Sequence, residues 1–530
     1  MKPVKLGHLL STTLPLAAAL LIRLYPYTYT GLPFSIDAWP LLKGAEALVN
    51  YSPVDFENST LFDGYNNYWP AVMVFGAEGS LILNLNVKAF MGLFVPIAAA
   101  LSVLTVYTIT LSITRSRLHA SIASTVLAFA PSHVIFTAGV TKETLANPIY
   151  LTMILMLLSP KAGTSAMGLW LILSLALVST HHLTTFIALG IITSIAVLKT
   201  VLAVKTAQKP SPLLLAKPVI LGLVTLLYYY GYALRGFKFD ISMSEWISAF
   251  SYQLLFFTVI LYQTLRSNAL ARPSSHSRTG LLTSIGLFTI LLLSTHTPIV
   301  PGAPEIPLRY LLYFFPYIFS PLLVAIGLRE LGESRYIIKG WLGVVLALEA
   351  YSLFSRSQLS LSLLYRGLNF LYPPLAPAIA AGLEALAGHR RYAVTSLITL
   401  GIAVSGLSIM YATVHLQEPY TGYQWLNTAD EYQAGIWLRK FHEMGIIAGD
   451  MKASYMLAQY FGLKVDVAQG LAYLSGWFRN TPDILYTYKT MDVNGYLLSP
   501  YAVELPADWR NKVAVMNLIY VNGFVEVSAI

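Results

Sequence analysis

TSAMGLWLILSLALVSTHHLTTFIALGIITSIAVLK, residues 164–199, has no charged residue between Lys161 and Lys199. It reads as two apolar runs, 164–180 and 183–198, broken only at Thr180-His181-His182. A bilayer core takes about 20 apolar residues of helix. The stretch is therefore a pair of membrane spans joined by a short polar turn. The same pattern recurs outward in both directions. The run from Leu9 to Tyr25 follows Lys2 and Lys5 and has no clear small-residue cleavage site. It reads as an uncleaved first span rather than a signal peptide. Further apolar stretches lie at 88–113, 119–138, 144–159, 214–232, 246–264, 280–296, 310–328, 336–354, 366–386 and 392–411. The expectation is thirteen spans, of which 144–159 is short and interrupted by Pro148.

Composition agrees. Of the 530 residues, 56% are hydrophobic and 11% charged, with a mean hydropathy of +0.62. Soluble domains carry about 25% charged residues. An ordinary soluble enzyme, a disordered chain and a coiled coil are excluded. The absence of cysteine removes disulfides, thiolate metal sites, iron–sulfur clusters and cysteine nucleophiles. The net charge of +9 is mostly a topology signal. With the N-terminus in the cytoplasm, 17 of the 34 Lys and Arg flank inner loops and nine lie on the outer side. Nucleic acid has no support as a partner.

This map places a long aromatic outer loop at about 26–87, with Asp37, Glu46, Asp55, Glu57, Asp63 and Glu78 in it. Its second half, Tyr68 to Leu85, is apolar enough for an interfacial helix. Odd parity puts 412–530 outside. The organisation expected is a transmembrane domain, 1–411, and a small extracytoplasmic α/β domain, 412–530. In the latter, helices are expected over Asp430–Met444 and Ala453–Phe461, a strand over Ile446–Gly449, and a hairpin closing on Asn522-Gly523.

No Walker loop, dinucleotide fingerprint, HExxH or GxSxG is present. What remains is polar residues gathered at the outer surface. Asp37, about a dozen residues beyond the first span, can act as a general base or bind a divalent cation. It can equally be a solvated loop acid. Lys142 can neutralise a lipid phosphate, and Glu143 can bind a metal or a sugar hydroxyl; a local pair capping the helix from Thr144 is the plain alternative. His181 and His182 can ligate metal as neutral imidazoles, but neighbours on a helix point about 100° apart. Arg309 opens a span where a guanidinium fits a phosphate, or snorkels. Arg366, at the start of the twelfth span, has the same two readings, with snorkelling the stronger. Glu349, deep in a span, is a functional candidate or a hydrogen-bonding partner within the bundle.

Several of these features together resemble the GT-C superfamily of membrane glycosyltransferases, especially archaeal members. They are Asp37-Ala38-Trp39-Pro40, Tyr65-Asn66-Asn67-Tyr68-Trp69-Pro70, Thr141-Lys142-Glu143 and Arg309-Tyr310-Leu311-Leu312 ahead of a proline. The tail, Asn517 to Val527, is similar to that of archaeal glycosyltransferase-like membrane proteins. The resemblance covers most of the chain in layout, and each motif is short. It implies a GT-C fold of about 13 spans with an external domain, as in oligosaccharyltransferase catalytic subunits. By it, Asp37 and Glu143 are catalytic, Lys142, Arg309 and Tyr310 bind the donor phosphate, and Asp37, Glu143 and His181 hold a divalent metal, Mg or Mn. The donor implied is a polyprenyl-phosphate (dolichyl-phosphate) sugar, used by an inverting enzyme in the plasma membrane. The acceptor is a lipid-glycan or a protein.

The chain departs from oligosaccharyltransferases in two places. It has no WWDYG sequence in its tail, and its loop at about 297–307 is short and proline-rich. The expectation is therefore transfer of a sugar from the lipid phosphate rather than of a whole glycan to asparagine. The rival from another class is a lipid-glycan transporter or flippase, which needs polar residues through the midplane. Asn58-Ser59-Thr60 is a glycosylation sequon in the outer loop.

Overall fold

The computed structural model describes residues 6–530 except 59–60, 160–162, 238–241, 267–276, 298–304, 356–357, 388–390, 420–421, 423–424, 442–444, 478–480 and 500. Most of the proline-rich loop and two residues of the sequon lie outside the described residues.

The apolar stretches form helices, because a buried or lipid-facing backbone must satisfy its own polar groups. They are α1 (Leu6–Thr30), α2 (Ala38–Asn50), α3 (Ala71–Leu83), α4 (Val87–Ala100), α5 (Ser102–Thr114), α6 (Arg117–Phe129), α7 (Pro131–Ala138), α8 (Lys142–Leu158) and α9 (Thr164–Thr180). Then come α10 (His182–Lys205), α11 (Pro212–Gly231), α12 (Met243–Arg266), α13 (Ser277–Leu293), α14 (Tyr310–Tyr313), α15 (Phe315–Glu330), α16 (Arg335–Ser355), α17 (Gln358–Ala387) and α18 (Arg391–Tyr411). All thirteen expected stretches are helical. Among the described residues eight helices are long and apolar enough to cross a membrane, or nine if α6 and α7 are one span bent by 62°. Helices α9 and α13 have 17 residues each and fall short. The chain is a multi-pass integral membrane protein.

Beyond α18, one π-helical turn (Ala412–Leu416) leads to a small mixed domain. It holds α19 (Ala429–Phe441), β1 (Ile446–Ala448), α20 (Met451–Leu457), β2 (Lys464–Asp466), α21 (Val467–Leu474) and β3 (Ile484–Tyr488). These are followed by α22 (Lys489–Asn494), β4 (Tyr496–Ser499), β5 (Tyr501–Glu504), α23 (Trp509–Val513), β6 (Asn517–Val521) and β7 (Val525–Ala529). The main sheet runs β2-β1-β3-β7-β6, with β1 parallel to β2 and β3, and β7 antiparallel to both its neighbours. The expected hairpin is β6–β7. Its turn spans 522–524: Gly523 takes a positive φ of 83°, and the Asn522 side-chain oxygen Oδ1 accepts from the Phe524 and Val525 amides.

The domain docks on the segment 32–95 that follows α1, and their apolar residues form one core. Trp39 of α2 donates from Nε1 to Asn427 at 2.8 Å and stacks on Tyr432, ring centroids 5.8 Å apart. Tyr460 donates to Glu46 at 2.9 Å, and Lys88 lies 4.0 Å over the Tyr432 ring. This seam fixes α20 next to the segment that carries Asp37.

Candidate active site

The segment carrying Asp37 is held from two sides. The Ser35 amide donates to the Trp425 carbonyl at 2.7 Å, and the Phe34 carbonyl accepts from Val140 at 2.9 Å. Ser35 sits at φ 86°, a strained position for a residue with a side chain, costing about 1–3 kcal/mol. Its hydroxyl accepts the Asp37 amide at 3.3 Å. Asp37 is the residue before α2 and makes no side-chain cap to it, so its carboxylate is left for other partners. The bond to Val140 brings Thr141-Lys142-Glu143 alongside.

Thr141 caps α8, its hydroxyl accepting from the Thr144 amide at 3.1 Å. Lys142 and Glu143 open the helix, both buried. The Lys142 Nζ lies 3.8 Å over the Tyr65 ring and 5.1 Å over Trp69, and has no hydrogen-bond partner among the described residues. Asp37, Asp63 and Arg366 act on it electrostatically. Glu143 Oε1 accepts from Asn369 Nδ2 at 2.5 Å. The same amide's Oδ1 can only accept, so His133 Nδ1, at 2.8 Å, donates to it. Arg366 lies one turn before Asn369 on α17, donates from Nε to Tyr365 at 3.2 Å, and interacts with the charges of Asp37 and Glu143.

The remaining walls come from far along the chain. Tyr455 of α20 is held well above the usual phenol range by burial and by Asp37, with Arg366 opposing. Tyr65 is raised the same way, by burial first, then by Asp37 and Asp63 against Arg366. A cavity of about 720 Å³ opens from this point, running between α10, α12, α16 and α17. Tyr65, His182 and Arg366 line its polar mouth; Phe186, Trp246 and Phe257 are among its apolar walls. His182 packs against Trp69, ring centroids 4.7 Å apart.

Four of the residues expected from sequence are placed otherwise. Arg309 pairs with buried Glu418 near the start of the C-terminal domain, whereas Arg366 is the arginine that faces Asp37 and Glu143. Tyr310 packs its ring on Tyr313, at 5.0 Å, inside an apolar cluster with Phe34 and Val134. His181 lies buried before α10, its Nδ1 bonded to Thr184 at 2.8 Å. It does not join Asp37 and Glu143 as a ligand: no group of three His, Asp or Glu able to hold a metal exists among the described residues. Mg²⁺ and Mn²⁺ are commonly held by one or two carboxylates, with waters and a substrate phosphate completing the shell, so Asp37 and Glu143 are the residues here that would hold such an ion. Glu349 is buried in α16, its carboxyl against Gly367, one residue from Arg366.

Sequence reasoning weighed Arg366 chiefly as a snorkelling residue and missed Asn369 and Tyr455. Arg366 and Asn369 carried a signal: polar residues three apart share one face of an apolar helix. Tyr455 carried none.

No protein-family model and no curated protein matches the chain. Its fold is similar to solved structures of the Archaeoglobus fulgidus oligosaccharyltransferase. The one tethered to an acceptor peptide with an NVT sequon aligns at TM-score 0.57 and 13% identity, covering 92% of this chain and 70% of that one. The complex with an inhibitory peptide and a dolichol-phosphate aligns at 0.56 and 12% identity, with the same coverage. The complex with Zn and sulfate aligns at 0.57 and 13%, covering 91% and 68%. At that identity the likeness is one of architecture: the chain shares the membrane fold of that oligosaccharyltransferase over most of its length.

Proposed function

We propose that the protein is a membrane glycosyltransferase. It moves a sugar from a polyprenyl- or dolichyl-phosphate to an acceptor hydroxyl on the extracytoplasmic face. The observation that carries this reading is the join between charge and groove. Lys142 and Arg366 interact with the charge of Asp37, and Arg366 with that of Glu143, and Arg366 also lines an apolar cavity of about 720 Å³. An isoprenoid tail suits the cavity, and its phosphate then lies against Arg366 and Lys142. The oligosaccharyltransferase of similar fold has been captured with a dolichol-phosphate, which supports the same class of donor here.

The chemistry follows from where charge develops. Asp37 takes the proton of the acceptor hydroxyl as its oxygen bonds to the anomeric carbon. The carbon–oxygen bond to phosphate breaks, and the electron pair leaves on the phosphate. Lys142 and Arg366 stabilise that growing charge in a water-poor site, where such donors act strongly. Glu143, held by Asn369, balances the two cations and positions Arg366. One displacement inverts the anomeric centre.

The test is a transfer assay in nanodiscs with polyprenyl-phosphate sugars, comparing wild type with Asp37→Asn and Glu143→Gln. Product from wild type alone is expected. Equal product from all three removes the assignment of these carboxylates.

A further inference from the structure

A second, smaller cavity lies across the partition from the groove. It measures about 200 Å³ and is lined by Lys43, Asp63, Asn66 and Gln459, with Pro40 and Met73 among its apolar neighbours. We propose that this cavity is the acceptor subsite and that it takes a pyranose ring, presenting a carbohydrate hydroxyl to Asp37. The proposal rests on the glycosyltransferase reading above and names its acceptor class.

The partition is the segment 63–66. Tyr65 lines the groove, while Asp63 and Asn66 line the small cavity. Asp63 stiffens it: Oδ1 accepts the amides of Tyr65 at 2.9 Å and Asn66 at 2.7 Å, and Oδ2 accepts the Asn66 side chain at 2.6 Å. Lys142 rests on the Tyr65 ring and interacts with Asp63, so the cluster stands where the two spaces approach. Asp37 stands with it. Pro40 follows Asp37 by three residues and Lys43 follows Pro40 by three, so each stands beside the next at the start of α2. Gln459 follows Tyr455, which interacts with Asp37 and Arg366, by four residues. The cavity therefore lies between the outer loop and the C-terminal domain, one turn from the site on each.

Its lining suits carbohydrate. Lys43 donates, the amides of Asn66 and Gln459 donate and accept, and Asp63, its oxygens taken by Tyr65 and Asn66, shapes the wall; a sugar hydroxyl likewise donates and accepts. A cavity of about 150 Å³ holds one benzene ring, so about 200 Å³ is the scale of a single six-membered ring. The step is the displacement already given. The ring's hydroxyl oxygen bonds to the donor's anomeric carbon, its proton goes to Asp37, and the electron pair of the broken bond leaves on the phosphate.

The experiment uses the full chain in nanodiscs with a polyprenyl-phosphate sugar. Methyl pyranosides are supplied as acceptors in one arm and an Asn-containing sequon peptide in the other. Release of sugar to water is followed alongside. A disaccharide product is expected, with Gln459→Ala and Lys43→Ala raising the pyranoside KM about three- to tenfold, as for one lost hydrogen bond, and leaving the donor KM unchanged. Gln459 is exposed, so its replacement tests the cavity without threatening the fold. Donor cleavage with product on the peptide alone, or on neither acceptor, overturns the carbohydrate subsite and leaves the donor reading standing. A rise in donor KM in place of acceptor KM also overturns it. No donor binding and no cleavage overturns both.

Discussion

The Lys142 ammonium lies 3.8 Å over the ring of Tyr65 and finds no hydrogen-bond partner among the described residues. A buried cation held only by an aromatic face keeps its hydrogen-bonding capacity for something else. A ring face contributes about 0.5–2 kcal/mol, less than the full solvation that the ammonium gives up. The carboxylates of Asp37 and Asp63 supply part of the difference, and an incoming phosphate supplies more. Lys142→Ala is expected to lower kcat by about 10²–10³-fold, the usual loss of one transition-state donor. Tyr65→Phe keeps the ring face and is expected to stay within about threefold of wild type. Turnover of both variants, with melting curves as the control for folding, checks this.

Glu143 is fixed by a neutral amide rather than by a cation. Asn369 donates to it at 2.5 Å while accepting from His133 at 2.8 Å. Asn369→Leu leaves both partners buried and unpaired, at about 1–3 kcal/mol each. A lower melting temperature is expected together with loss of transfer. Asn369→Asp sets a second carboxylate against Glu143 and is expected to be no better. Wild-type melting and turnover in Asn369→Leu would contradict the arrangement.

The seam between the outer loop and the C-terminal domain turns on Trp39 and Asn427, at 2.8 Å. Asn427→Ala strands a buried indole N–H, costing about 1–3 kcal/mol. Hydrogen exchange in α20 is expected to quicken while that in α6 stays as it was. Unchanged exchange in α20 would show that the domain is held by other contacts.

Glu46 makes the same seam sensitive to pH. Burial pushes its carboxyl above the usual range, against the Tyr460 bond and the charges of Lys88 and Arg439. A carboxyl raised in the folded state ionises first in the unfolded one. Its contribution to stability is whole below about pH 4.3 and declines as pH climbs through the raised folded value. Glu46→Gln is expected to flatten this part of the stability–pH curve. Parallel curves for the two proteins would contradict the assignment.

Much of the fold was legible because hydropathy and membrane helices share one cause. The stretch 164–198 is helical on both sides of His181, and Asn522-Gly523 marks a real hairpin. Counting spans was harder, because α9 and α13 look apolar in sequence yet have only 17 residues each. Asp37, Lys142 and Glu143 were visible as charges at a membrane surface. Arg309 looked equivalent to Arg366, since both are arginines near span starts. Only tertiary packing separates them, one facing Glu418 and the other facing Asp37 and Glu143. His181 looked like a ligand, and its bond to Thr184 was not visible in the residue pattern. Nothing local could have linked Tyr455 to Asp37, because their approach depends on the docking of a whole domain.

That separation of the two arginines gives the most direct test. Binding of a polyprenyl-phosphate sugar would be measured in nanodiscs for wild type, Arg366→Ala and Arg309→Ala. The account predicts that Arg366→Ala weakens donor binding at least about tenfold, the scale of one lost charged hydrogen bond, while Arg309→Ala binds as wild type does. Loss of binding in Arg309→Ala with none in Arg366→Ala would contradict the placement of the donor phosphate at Asp37, Lys142 and Glu143.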